Sequence, residues 1–160
     1  MTSPLTTHAQ SVQDVLSNNN LTCEVVELSA STRTAQEAAE AIGCQVGQIA
    51  KSLIFKTKES GLPVLVLASG SNRVNEKTIE KHVGEKIEKA DAAFTKTVTG
   101  FTIGGIPPVG HKQKIENIYI DEDLLSYPEL WAAAGMPNAV FSLSCKDLVT
   151  LTSGMIISVD

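Results

Sequence analysis

The run Val64-Leu65-Val66-Leu67-Ala68 constrains the fold more than any other part of the chain. Apolar throughout and bounded by Gly61-Leu62-Pro63 and Ser69-Gly70-Ser71-Asn72, it reads as a central strand. A strand with no polar face has no solvent face, so other elements must cover both of its sides. Ser52–Thr57 carries Leu53 and Phe55 on one face and precedes the run across the Gly61-Leu62-Pro63 turn, so the two strands read as a hairpin.

The remaining elements alternate irregularly between helix and strand. Ser11–Asn19 places Val12, Val15 and Leu16 on one helical face together with Ala9, and Asn18-Asn19-Asn20 stops it. Cys23–Leu28 reads as a strand. Thr34-Ala35-Gln36-Glu37 is a capping box that opens a helix bearing Ala35, Ala38, Ala39 and Ile42, and Gly43 closes it. A short turn over Val46–Ala50 follows. Asn75 caps a helix to about Val83, and Asp91 caps another to about Thr97, with Lys86–Glu88 between them. Thr99–Ile103 is expected as a short strand, Gly104–Gly110 as a loop, Asn117–Ile120 as a strand and Tyr127–Ala134 as a short helix. Ala139–Leu143 reads as a strand, Ser144–Val149 as a helical turn and Met155–Val159 as the last strand. Hairpins join some strands and helices join others. That mixture predicts an α+β fold with a mixed sheet that rolls into a partial barrel, surrounded by helices. No repeat or linker divides the chain, so residues 1–160 are expected to form one domain.

Composition narrows the class. Apolar residues make up 42% of the 160 and charged residues 19%, which is a globular balance. No run approaches the roughly 20 apolar residues of a membrane span, and Met1–Gln10 lacks the regions of a signal peptide, so a cytoplasmic location is expected. Cys23, Cys44 and Cys145 are odd in number, widely spaced and without a CxxC, which predicts reduced core thiols rather than disulfides or a zinc site. The net charge of −5 argues against a protein that grips a long phosphate backbone. Bases nonetheless gather between Arg73 and Lys114, where they form either a local basic patch or, interleaved with Glu76, Glu80, Glu85 and Glu88, ordinary solvated helix faces.

Three segments are odd for pure structure. Lys51, in Gln48–Leu53, sits where a turn runs into a strand and presents either a fixed cation for phosphate or carboxylate or a plain surface lysine. Gly104-Gly105-Ile106-Pro107-Pro108-Val109-Gly110-His111 combines close backbone approach with stiffness. Such a loop aims N–H groups at a developing oxyanion, or else is a tight structural turn. His111 beside it is a base or a solvated ring. Ala132–Asn138 either floors a pocket for a small side chain or packs a helix end closely. Walker A, HExxH and GxSxG signatures are absent, and no Ser/His/Asp triad assembles.

The order of these segments resembles one family from Thr34 to Ser158. TAQEAAEA at Thr34–Ala41, QIAKSL at Gln48–Leu53, VLVLASGSNRV at Val64–Val74, TGFTIGGIPPVG at Thr99–Gly110, Ile120-Asp121-Glu122 and Ala133-Ala134-Gly135 are similar to the YbaK/prolyl-tRNA-synthetase-associated editing domains. The resemblance implies a trans-acting aminoacyl-tRNA deacylase that hydrolyses the ester of a mischarged tRNA carrying a small amino acid. It implies that Lys51, Gly104 and Gly105 are catalytic, with Lys51 holding the substrate end and the loop positioning the aminoacyl carbonyl. It places Ser52, Ser69, Gly70, Ile106, Pro107, Pro108, His111, Asp121, Gly135 and Asn138 at the substrate or in support of it. Asn138 departs from the family at a place where several relatives carry a histidine, and an amide cannot act as a base. Partners implied are the acceptor end of mischarged tRNA and an aminoacyl-tRNA synthetase, with no membrane, no metal and no cofactor, in a monomer or a homodimer. The alternative is a non-catalytic aminoacyl-tRNA or nucleotide-binding module that uses the same pocket.

Overall fold

A computed structural model describes residues 5–160 of the chain. The first residues of the Met1–Gln10 segment lie outside the described residues. The Val64–Ala68 run lies in β3 (Pro63–Ser69), the middle strand of a five-stranded mixed sheet with β2 (Ala50–Thr57), β4 (Ile87–Lys89), β5 (Asn117–Asp121) and β8 (Met155–Ile157). The order is β4-β2-β3-β5-β8, antiparallel on the β2 side of β3 and parallel on the β5 side. The period of two splits β3 between two cores. Leu65 and Leu67 join Ile54, Ile120, Phe141 and Leu148 in the larger core, which α1 (Thr7–Asn18) covers with Ala9, Val12 and Leu16. Val64 and Val66 face the opposite side, with Phe55, Tyr119 and Ile157, under Ile79 of α3 (Glu76–Val83). Each such side chain contributes about 1.5–3 kcal/mol by leaving water.

A second, antiparallel sheet has the order β1-β7-β6, from Val26–Glu27, Ala139–Leu143 and Leu130–Ala133. One parallel bridge, Ile49 to Trp131, joins the two sheets. The mixed α+β architecture is as expected; among the described residues it has five α-helices, and the two sheets do not close into a barrel. α2 (Ala35–Ile42) lies at the junction and packs Ala38 and Ala39 against Ile49 and Trp131. Its Thr34 hydroxyl accepts from Glu37 N–H as expected, and that hydroxyl also donates to the Glu37 carboxylate at 3.3 Å.

Two element assignments are corrected. Thr99–Ile103 is not a strand: α4 (Ala92–Thr99) runs through Thr99 and ends at Gly100. Thr97, Val98 and Thr99 are β-branched, but burial of Thr95, Val98 and Thr99 and the Asp91 cap outweigh a small propensity penalty. Thr99 Oγ1 then donates to Thr95 O and accepts from Phe101 N–H, which turns the chain into the loop. Tyr127–Ala134 is not a helix: it holds strand β6. Pro128 keeps Tyr127 extended, at φ −115° and ψ 135°. Leu130 and Ala132 are buried while Trp131 and Ala133 are less so, the alternation of a strand paired with β7. The strand over Cys23–Leu28 shrinks to two residues, and the turn at Ser144–Val149 lengthens into α5 (Cys145–Thr152). Of the three free thiols only Cys145 is buried; Cys23 and Cys44 are half-buried. Among the described residues no helix is long and apolar enough to cross a membrane.

Candidate active-site cleft

The gap between the two sheets is a cleft of about 350 Å³. Four pieces of chain build it: Ala50–Leu53 of β2, Ile103–Ile106 of the glycine loop, Trp131–Ala133 with Val140 of the second sheet, and the approach to α2 with Ala35 and Ala38. Register explains why β2 is open here. β4 pairs only with Phe55–Thr57, so the N-terminal half of β2 has β3 on one side and the cleft on the other. A neighbouring cavity of about 630 Å³ shares Lys51, Ser52, Leu53, Ile103 and Ile106 and adds Arg73, Glu76 and Lys89. Two members of the basic cluster, Arg73 and Lys89, therefore line the cavity beside the cleft.

Lys51 is half-buried, and its Nζ donates to the main-chain oxygen of Asn72 at 2.7 Å. Burial pushes its ammonium below the ordinary lysine range; the Asp121 carboxylate opposes that shift and the Arg73 guanidinium adds to it. Next to it, Ser52 Oγ is the one buried side-chain polar atom without a hydrogen-bond partner among the described residues. That oxygen has almost no accessible surface, so it lies within the wall of the cleft rather than on it.

The glycine loop reaches the cleft through Gly104, Gly105 and Ile106. Gly104 has φ +103°, a conformation a side chain rarely adopts. The Gly105 N–H is used in a turn bond to Thr102 O at 3.3 Å. The Gly104 and Ile106 N–H groups have no protein acceptor among the described residues, so these two, rather than Gly105, are free to donate. Gly105 through Val109 are buried, while Ile103 at the mouth is 60% exposed.

The other expected site residues support the cleft from outside it. Ser69 Oγ donates to Gly47 O at 2.7 Å and Gly70 N–H to Ile49 O at 2.8 Å, which ties the end of β3 to the start of β2. Asp121 is 1% exposed beneath the Ser69–Asn72 turn. Gly135 N–H donates to Gly105 O at 2.8 Å and so holds the loop from behind. Asn138 Nδ2 donates to Leu28 O at 2.9 Å, and Leu28 N–H to Asn138 O at 2.7 Å; the amide is a clamp between segments. Pro107, Pro108 and His111 do not line the cleft; Pro108 and His111 line a separate hollow. Sequence reasoning missed Arg33, Ile103, Trp131 and the α2 side of the alanine wall, Ala35 and Ala38; Ala132 and Ala133, offered in the sequence as a pocket floor, do line the cleft. The wrong helix assignment for Tyr127–Ala134 concealed the last strand of that wall. No three His, Cys, Asp or Glu side chains among the described residues come together to hold a metal ion.

His111 makes its own prediction. The Pro107 carbonyl accepts from His111 Nε2 at 2.8 Å, which places the proton of the neutral ring on Nε2. Burial lowers the imidazole below its ordinary 6.5, and the bond to Pro107 opposes this more weakly. The unfolded chain therefore binds the proton more readily. The stability present above pH 6.5 falls as pH drops below that value toward the folded-state pKa. Denaturant midpoints measured from pH 7.5 to 5 are expected to fall less for His111→Asn than for the wild type.

A lysine, two main-chain N–H groups without a protein acceptor among the described residues and small aliphatic side chains thus meet at one cleft. The aminoacyl-tRNA editing domain model matches residues 29–151, and the chain belongs to that family. Among its relatives, YwhH of Bacillus subtilis (strain 168), an uncharacterized protein, is 31% identical over 78% of each chain. A protein of Enterococcus faecalis named "Putative Cys-tRNA(Pro)/Cys-tRNA(Cys) deacylase EbsC" is 27% identical over 76% of this chain and 73% of its own. The crystal structure of a "putative trans-editing enzyme for prolyl tRNA synthetase" superposes with a TM-score of 0.92 at 44% identity, covering 98% of this chain and 99% of that one.

Proposed function

We propose that this chain is a trans-acting deacylase that hydrolyses the ester of a mischarged tRNA carrying a small amino acid, with Lys51 and the Gly104–Ile106 main chain at the reacting end. The observation that carries the reading is the make-up of the cleft. One space of about 350 Å³ is lined by the tethered Lys51, by Gly104 and Ile106, whose N–H groups have no protein acceptor among the described residues, and by Ala35, Ala38, Ala132, Ala133 and Val140. The alanine wall leaves room for a small side chain beside the terminal ribose.

An aminoacyl ester is already activated, so placement and charge stabilisation suffice without a metal or cofactor. Lys51 holds the anionic end of the substrate. The Gly104 and Ile106 N–H groups face the carbonyl oxygen as it gains charge. Water, or a group of the substrate itself, attacks the carbonyl carbon, and the ribose hydroxyl leaves. A synthetase pocket separates amino acids differing by one methylene by only about 1–3 kcal/mol, so a second, size-limited site adds discrimination where the first fails.

Among the described residues no carboxylate or imidazole lines the cleft, and this favours a second reading: a module that binds aminoacyl-tRNA and leaves the ester intact. A panel of tRNAs charged with Ala, Cys, Ser or Thr, and with Leu and Phe as large controls, separates the two. The deacylase is expected to clear at least one small ester about tenfold or more faster than either large one. Intact esters across the whole panel, together with a measurable affinity, would favour the binding module.

A further inference from the structure

The carboxylate of Asp121 needs a reason to be where it is. It is almost fully buried at the end of β5, and an ionised carboxylate is costly to bury without partners. Its partners are all N–H donors, and none is a cation. Oδ2 accepts from Ser69 N at 2.9 Å and from Asn72 Nδ2 at 2.8 Å; Oδ1 accepts from Asp123 N at 3.0 Å. Asn72 Nδ2 also reaches Asp123 Oδ2 at 2.7 Å. Asn72 N–H closes the turn onto Ser69 O at 2.9 Å. The turn after β3 is thus clamped at its first and last residues by one buried carboxylate. The main-chain oxygen at the clamped end, that of Asn72, is the acceptor for Lys51 Nζ.

We propose that Asp121 and Asn72 are positioning residues for Lys51: the carboxylate fixes the Asn72 amide, and the fixed Asn72 carbonyl holds the ammonium at the mouth of the cleft. A flexible four-carbon stem does not define a charge in space by itself. A turn locked from below supplies the definition. Burial and the Arg73 guanidinium lower the Lys51 ammonium from its ordinary range, and the Asp121 carboxylate opposes them. The other charged groups around Lys51 are Arg33 in the lining of the same cleft, Glu76 and Lys89 in the adjoining cavity and Asp123 behind Asn72. None of them is bonded to the ammonium. Neither Asp121 nor Asn72 lines the cleft, so both act through Lys51 rather than on substrate.

Two measurements test this. The first is independent of any activity: the full chain is labelled with ¹³C at lysine Cε, the Lys51 signal is assigned by its loss in Lys51→Ala, and its titration is followed in the wild type, Asn72→Ala and Asp121→Asn. Asp121→Asn is expected to lower the Lys51 midpoint below the wild-type value. Asn72→Ala is expected to move the signal's chemical shift and broaden it. Backbone amide spectra establish that each variant is folded, and Asn72→Ala, at a half-buried turn position, serves where Asp121→Asn fails. The second rests on the deacylase reading and uses the best ester of the panel in a double-mutant cycle. Asn72→Ala alone is expected to lower kcat about tenfold with KM within about twofold, and to have no further effect in a Lys51→Ala background. Identical Lys51 titrations in the wild type and the folded variants overturn the proposal, as do losses that multiply in the cycle. If the wild type cleaves no ester, the deacylase reading fails and the titration alone decides this one.

Discussion

Lys51→Ala is expected to lower the rate of ester cleavage by about a hundredfold or more while the chain still folds. The magnitude follows from removing a fixed charge in a confined site, where one well-placed donor is worth about 10²–10³ in rate. The fold survives because Lys51 makes a single side-chain hydrogen bond, to Asn72 O, and its stem is only half-buried. Its main chain keeps the pairing with Ala68 whatever the side chain. Lys51→Met separates the two contributions: it keeps a stem of similar length and loses the charge, so its activity is expected to match Lys51→Ala and its thermal midpoint to match the wild type. Lys51→Arg keeps the charge on a planar fork that cannot replace a compact ammonium against one carbonyl, so partial activity is expected at most. Single-turnover cleavage of the preferred ester, with circular dichroism melts alongside, measures both quantities. A Lys51→Ala rate within threefold of the wild type would remove the lysine from the mechanism.

The cation at that position was not legible from local chemistry. A lysine at the start of a strand is ordinary in a sequence, and its position in the ordered family pattern was what singled it out. What gives Lys51 its environment is β4, which pairs with only the last three residues of β2 and leaves the first half open. That is a tertiary fact with no local signature. The glycine loop was different. Glycines and prolines in one short stretch advertise constrained backbone, and Gly104 and Gly105 do reach the cleft. Even so, spacing did not reveal which N–H groups stay free, because the bond from Gly105 to Thr102 depends on how α4 ends. β3 was legible because a strand buried on both faces has no polar residue to hide. β6 was misread because Ala132, Ala133 and Ala134 favour helix, and only pairing with β7 overrides them. That error carried into the site, since β6 supplies part of the alanine wall. His111 and Asn138 look chemical in sequence, and in the structure their side chains bond the main-chain oxygens of Pro107 and Leu28. Polar side chains beside a loop satisfy main-chain groups as readily as they meet a substrate.

Gly105→Ala is expected to damage the site far more than one methyl group does elsewhere. A Cβ at this position falls 2.8 Å from the Met136 carbonyl carbon and 3.1 Å from the Met136 nitrogen. These are backbone atoms and cannot rotate away as a side-chain end does. Either the loop or the turn around Met136 must shift by several tenths of an ångström. The Gly135 N–H to Gly105 O bond spans the same contact and is stretched by the same movement. Overpacking of this kind costs about 1–3 kcal/mol, so the variant still folds with a lowered denaturation midpoint. The functional cost is larger, because Gly104 and Ile106 ride on Gly105 and their N–H groups lose their aim. Catalytic geometry displaced by about 1 Å loses about 10²-fold in rate. The damage is expected in kcat, with substrate affinity largely kept, because Lys51 and the alanine wall belong to other elements. Gly43→Ala is the control: nothing lies within 4 Å of its Cβ, and its φ of +84° at the end of α2 imposes backbone strain alone. It is expected to lose about 1 kcal/mol of stability and none of the rate. Equal rate losses in the two variants would show that the Gly105 contact with Met136 has no special part in holding the loop.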